Sequence, residues 1–142
     1  DVFERMATPS RTVGPGRRLV LDQPVKLMDL ADRMKAFLGI PVVKLAPAGD
    51  ADTAISHIGV CPGAGASLAP TAREEGCSVF MTGEMRHHEV LENIEHGMSI
   101  LLVGHTNSER PYLPRLADRL REALPGVEFV VSERDVAPIG TV

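Results

Sequence analysis

The chain has 142 residues, enough for one domain or a large part of one with a sizeable buried core. It is 44% hydrophobic and 24% charged, but aromatics are only 4% and Trp is absent, so the core must rest on Leu, Val, Ile, Ala and Met. A formal charge of -4 lacks the basic footprint of a nucleic-acid binder, and no apolar run is long enough to cross a membrane.

The chain begins with Asp1 rather than Met, as expected of a fragment, and its polar start has no apolar signal-peptide segment. Residues 1–17 hold Pro9, Gly14, Pro15 and Gly16 with little periodicity and read as an arm or linker. Residues 18–142 read as a single α/β domain. Residues 18–21 are expected to form a short strand. Residues 26–38 read as an amphipathic helix, because Leu27, Leu30, Met34, Phe37 and Leu38 recur at helical spacing. Gly39 caps it and Pro41 blocks its continuation. Strands follow at 42–46 and 55–61, separated by a turn at 47–50.

From residue 55 onward strands and helices alternate. The Pro62-Gly63-Ala64-Gly65-Ala66-Ser67 bend leads into a helix at 68–75. A strand at 78–81 precedes a helix at about 86–96, and a strand at 99–103 precedes a helix at 109–124. A final strand is expected at 127–131. Leu113, Leu116, Leu120 and Leu124 form an apolar stripe expected in the core, while Arg115, Arg119 and Arg121 form a solvated face. Strict alternation marks βαβ units around a mainly parallel or mixed sheet. Right-handed crossovers bring the loops after Cys61, Met81 and Val103 to one sheet edge, where open α/β folds place ligands.

Those loops carry the chemistry. Gly104-His105-Thr106-Asn107-Ser108-Glu109 offers an imidazole and a carboxylate, donors suited to Zn, Mn or Fe. His105 is expected just before the helix and Glu109 in its first turn. Helix capping by Asn107 or Ser108, with Glu109 at the positive helix end, accounts for the same residues without a metal. Thr82-Gly83-Glu84-Met85-Arg86-His87-His88-Glu89 offers Glu84, His87 and His88 as proton carriers; the plainer alternative is an exposed first helical turn capped by Thr82. Gly63 and Gly65 would let a phosphate approach backbone amides, or simply make a tight turn capped by Ser67. His57 reads as a core or cross-strand residue, and His96 as a partner of a helix C-terminus. Cys61 and Cys77 form no Cys-x-x-Cys pair and read as buried thiols of a cytoplasmic protein, with a disulfide the less favoured alternative.

Taken together, the Thr82 to Glu89 and Gly104 to Arg110 motifs, with the Cys61 to Ser67 turn and the region from Pro24 to Gly39, resemble the C-terminal half of the Ngg-interacting-factor-three family. Its members are also known as dinuclear-metal-centre hexameric proteins or type-two GTP cyclohydrolase I proteins. The resemblance covers the chain from about Gly14 onward. It implies a divalent-metal-binding protein with a two-metal centre and a homo-oligomeric, hexameric ring. It assigns His105 and Glu109 to the metals, and it places Glu84, His87 and His88 beside them as catalytic residues. It also implies further ligands, a His-His pair and an Asp, from an N-terminal half that this chain lacks; His87-His88 matches the other loop. The implied activity is metal-dependent hydrolysis of the cyclohydrolase or phosphohydrolase kind. The rival is a non-catalytic oligomeric scaffold with a structural or regulatory metal. Neither nucleic acid nor a membrane is an expected partner.

Overall fold

A computed structural model of the chain describes residues 14–139. Of the arm expected over residues 1–17, residues 1–13 lie outside the described residues. Five strands form one sheet: β1 (Arg17–Lys26), β2 (Lys44–Ala46), β3 (Ala54–Cys61), β4 (Val79–Thr82) and β5 (Ser99–Leu102). Their spatial order is β1-β3-β4-β5-β2. The three central strands run parallel, and each edge strand runs antiparallel to its neighbour. The sheet is therefore mixed, within the expected α/β class.

Helices α1 (Leu27–Leu38), α2 (Ala69–Glu74), α3 (His87–Glu95), α4 (His105–Glu109) and α5 (Leu113–Ala123) complete the fold. Side chains alternate across a strand, so neighbouring residues of β4 and β5 feed opposite layers. Phe80 and Ile100 pack with Leu68, Ala69 and Ala72 of the α2 side. Val79 and Leu101 pack with Leu27, Leu30 and Ala31 of α1. Each fully buried side chain of this size stabilises the fold by about 1.5–3 kcal/mol through removal of apolar area from water. Gly39 ends α1 in the left-handed conformation, φ 65°, and Ile40 N–H returns to Lys35 O at 3.1 Å.

Several expectations need correction. The first strand covers ten residues instead of four, because residues 17–20 and 25–26 both pair with β3, on either side of a register shift. The helix expected at 109–124 is three pieces: α4, a 3-10 turn at Arg110–Tyr112, and α5. Pro111 and Pro114 supply no amide N–H, which favours restarts over one continuous helix. Residues 127–131 form no strand, since no sheet edge lies beside them among the described residues. The leucine stripe of α5 is not core either: Leu113 and Leu116 are each 37% exposed and Leu124 49%. Only Ala117 of that helix is buried. Cys61 and Cys77 are buried free thiols, and burial pushes the Cys77 thiol up to about 11. His96 accepts its expected role, with Nδ1 2.7 Å from Glu92 O near the end of α3. His57 is half-buried and lies opposite Val20 in the β1–β3 pair.

Candidate functional site

Parallel pairing of β3, β4 and β5 brings the loops after Cys61, Thr82 and Leu102 to one edge. Main-chain and hydroxyl hydrogen bonds then join them. Gly63 O accepts from Gly83 N–H at 2.9 Å, from Glu84 N–H at 3.1 Å and from the Thr82 hydroxyl at 3.0 Å. Gly65 N–H donates to Thr82 Oγ1 at 2.9 Å, and Gly104 N–H donates to Gly83 O at 2.9 Å. Gly63 N–H donates to Ser108 Oγ at 2.8 Å, and that hydroxyl donates to His105 O at 2.6 Å. Thr82 is 1% exposed, so its hydroxyl must be fully used, and it is.

Glycine permits this closeness. A Cβ on Gly83 would lie 2.7 Å from Gly63 O and 2.8 Å from His105 Cα, both main-chain atoms. One on Gly63, at φ +68°, would lie 2.8 Å from Glu109 Oε1 and 3.3 Å from His105 Nε2. The imidazole and the carboxylate therefore stand against a wall that only a hydrogen atom leaves open.

The helix carrying them starts earlier than expected. Gly104, at φ 92°, turns the chain so that α4 begins at His105 and ends at Glu109. His105 is inside the helix, not before it, and the pair shares one face at i, i+4. The capping alternative loses its basis. Asn107 Nδ2 donates back to Val103 O at 3.0 Å, and Ser108 binds Gly63 and His105, so neither caps the helix start. Thr82 likewise caps nothing; Glu89 closes the start of α3 by accepting Arg86 N–H at 2.8 Å. The amides of Gly63 and Gly65 are occupied by Ser108 and Thr82, which removes the donors a phosphate needs.

His105 stands between two carboxylates. Its Nδ1 lies 2.9 Å from Glu84 Oε1 and its Nε2 3.3 Å from Glu109 Oε1. The hydrogen bond to Glu84, then the negative charges of Glu109 and Glu84, raise the His105 pKa above its ordinary 6.5 against a smaller desolvation effect. A carboxylate only accepts, so in the protonated ring Nδ1 donates to Glu84 and Nε2 points its N–H at Glu109, while in the neutral ring the shorter contact to Glu84 favours the proton on Nδ1 and leaves the Nε2 lone pair for a ligand. All three side chains are roughly half exposed, at 45% for His105, 60% for Glu84 and 54% for Glu109, so these ion pairs contribute little to stability by themselves.

The donor pair fits a divalent cation. Two donors each about 2.0–2.2 Å from one ion stand about 3.0–3.5 Å apart, which spans the Nε2–Oε1 separation. That separation is long for a charge-assisted hydrogen bond, normally about 2.7–2.9 Å. Among the described residues no group of three or more His, Cys, Asp or Glu side chains is placed to hold an ion. The pair supplies one edge of a coordination shell. His87 and His88 are exposed on the first turn of α3, and their side chains make no hydrogen bond or ion pair among the described residues. The structure thus groups His105, Glu109 and Glu84 and leaves His87 and His88 apart. Sequence reasoning missed Ser108 and Thr82 as the hydroxyls that join the loops. It also missed Gly83, whose place between a strand end and Glu84 was the available signal.

The chain is similar to known proteins in sequence and in fold. A family model described as Duf34/NIF3 (NGG1p interacting factor 3) matches residues 3–138. The Protein NIF3 homolog of Schizosaccharomyces pombe is 32% identical over 133 residues, which is 90% of this chain and 47% of that protein. The GTP cyclohydrolase 1 type 2 homolog of Clostridium perfringens is 32% identical over 126 residues, 88% of this chain and 47% of that protein. The chain therefore spans about half the length of these curated relatives. The crystal structure of Staphylococcus aureus protein SA1388 shares the fold at TM-score 0.77 and 23% identity, covering 91% of this chain and 37% of that one.

Proposed function

This chain belongs to the Duf34/NIF3 family, and from that premise we propose that it is a divalent-metal-binding protein, with His105 and Glu109 as ligands of a dinuclear centre completed by residues outside the chain. The observation that carries this reading is the 3.3 Å edge between His105 Nε2 and Glu109 Oε1, held open by the absent side chain of Gly63. Glu84 supports it from behind: a carboxylate on the far nitrogen fixes the tautomer and raises the basicity of a ligating imidazole.

The chemistry we infer is metal-dependent hydrolysis, of the cyclohydrolase or phosphohydrolase kind. The name of the Clostridium perfringens relative supports that class. A divalent ion, when bound, supplies Lewis acidity towards a carbonyl or phosphoryl oxygen and makes water a better nucleophile at neutral pH. The chain's own groups orient and move protons. Glu84 keeps the Nδ1 proton on His105, so Nε2 stays a donor. His87 and His88, without side-chain partners among the described residues, serve as proton carriers towards a substrate at the sheet edge.

The test is calorimetric titration of the metal-stripped chain with Zn²⁺ and Mn²⁺, beside the His105→Ala, Glu109→Ala double variant. The parent should bind at least about 100-fold more tightly, since both first ligands are lost. Equal affinities would reject the site; binding by neither would place the essential ligands among the residues outside the chain.

A second reading is an oligomeric scaffold, ring-shaped as the resemblance implies, in which the metal is structural. The exposed leucines of α5 favour it, because such a stripe needs cover. Chelation separates the two: a hydrolase loses turnover and keeps its assembly, whereas a scaffold with a structural ion loses stability.

A further inference from the structure

His105 is held from two sides, and both holds lead to one glycine. Its Nδ1 lies 2.9 Å from Glu84 Oε1. Glu84 N–H donates to Gly63 O at 3.1 Å. Gly63 N–H donates to Ser108 Oγ at 2.8 Å, and the Ser108 hydroxyl donates to His105 O at 2.6 Å. These four bonds close a circuit that leaves His105 by its ring and returns to it by its main chain. A serine that donates to the carbonyl three residues back is ordinary in a helix. Accepting from an amide 45 residues away is not local, and it ties α4 to the loop after β3. With five residues, α4 is too short to keep its geometry without such ties. Gly63 is also the residue whose added Cβ would lie 2.8 Å from Glu109 Oε1 and 3.3 Å from His105 Nε2. Its amide anchor therefore sets where the wall stands against both donors.

We propose that Ser108 is a positioning residue: its hydroxyl locks α4 to Gly63, so that the His105 ring is held in one orientation before any ion arrives. The role in metal binding rests on the reading of His105 and Glu109 as ligands. Glu84 fixes the imidazole only while the main chains under the two side chains keep their places, and Gly63 carries both attachments. Without the Ser108 hydroxyl, Gly63 N–H loses its acceptor, while Gly63 O keeps Gly83 N–H, Glu84 N–H and the Thr82 hydroxyl. Glu84 thus stays with Gly63. Helix α4 keeps the anchor at its start, Gly104 N–H to Gly83 O, and loses the one near its end. The imidazole then shifts against its carboxylate partner, and the 3.3 Å edge between Nε2 and Glu109 Oε1 is no longer held ready. Ligand side chains that are ordered before binding make a tighter site, because less freedom is lost when the ion arrives.

The Hα–Hβ couplings of His105, measured by NMR on the metal-free chain, test the lock. The parent should show the couplings of a single staggered rotamer. Ser108→Ala should show values averaged over rotamers. Ser108→Thr should match the parent, since a helical Thr makes the same bond to the carbonyl behind it and Ser108 lines a cavity of about 130 Å³ with room for the methyl group. Thr82→Val separates positioning from mere support. It weakens the same loops by taking the acceptor from Gly65 N–H, yet leaves all four links of the circuit, so the His105 couplings should stay at the parent values. Titration with Zn²⁺ reads the consequence: Ser108→Ala should bind about 10-fold more weakly or worse, while Ser108→Thr and Thr82→Val keep the parent affinity. Averaged couplings in the parent, which need no variant, overturn the proposal. So does a single rotamer in Ser108→Ala, averaging in Ser108→Thr, or averaging in Thr82→Val as large as in Ser108→Ala. The couplings are read without metal, so they decide the lock whether or not the chain alone holds an ion. Equal Zn²⁺ affinity of the parent and the His105→Ala, Glu109→Ala variant rejects the metal reading instead.

Discussion

Two stretches of this chain end a strand-like run near a helix, and they behave in opposite ways. At the sheet edge, the loops around Gly63, Gly83 and Gly104 are joined by main-chain bonds and by the hydroxyls of Thr82 and Ser108. In the C-terminal stretch, the groups of Glu128 and Val130 bond to nothing among the described residues, and the leucines of α5 stay half exposed. Apolar β-rich sequence is present in both. What differs is a neighbour. β5 has β4 beside it, whereas residues 127–131 have no strand edge to join among the described residues. A strand is a property of a pair, and composition alone does not make one.

The comparison breaks most visibly at Gly83. Gly83→Ala places a Cβ against two main-chain atoms that cannot move without shifting a loop. It should lower stability by roughly 3 kcal/mol, the upper range of overpacking. Urea unfolding measures it; a loss under about 1 kcal/mol would mean that the loops are less tightly joined than described. Thr82→Val should come next. It leaves Gly65 N–H buried without its acceptor, at a cost of about 1–3 kcal/mol in the same assay. An unchanged midpoint would show that the hydroxyl bridge is dispensable.

The third effect falls on binding. Glu84→Gln removes the charge that holds the His105 proton, so the His105 pKa should fall back towards 6.5, read by imidazole NMR titration. Divalent-metal affinity should drop about 10–100-fold, as for other partners behind a ligating histidine. The pH dependence has a definite sign. His105 has a raised folded pKa, so its small contribution to stability is fully present below 6.5 and is lost as pH rises through the folded value. Metal binding runs the other way, because the ion must displace the Nε2 proton. Affinity should weaken as pH falls through that raised value, and a pH-independent affinity would exclude His105 as a ligand. The smallest effect belongs to the other region. Val130→Lys, at a side chain 79% exposed, should change folding stability by no more than about 0.5 kcal/mol. A large loss would show that the C-terminal stretch is packed after all.

Much of this was legible in the residues. Short apolar runs alternating with helical stretches marked β3, β4 and β5, and helical spacing with Gly39 marked α1 within one residue of its observed start. The alternation of these elements put the three loops on one edge, and so grouped Glu84 with His105 and Glu109 before any distance was known. The start of α4 was not legible. Asn107 and Ser108 are strong capping types, but Gly104 at positive φ starts the helix and frees both side chains for other bonds. The leucine stripe of α5 misled for a related reason: amphipathic spacing shows that a face wants burial and not what buries it.

Local chemistry therefore settled the elements and the identity of the donors, because periodicity, turn residues and donor types are properties of neighbouring positions. Only the tertiary structure decided that β1 pairs with β3 on either side of a register shift, that Gly63 clears the space before His105 and Glu109, and that residues 127–131 join no strand among the described residues. Each of these depends on which distant segment lies alongside, and hydrogen-bond partners across a sheet edge are not encoded in the spacing of the residues that carry them.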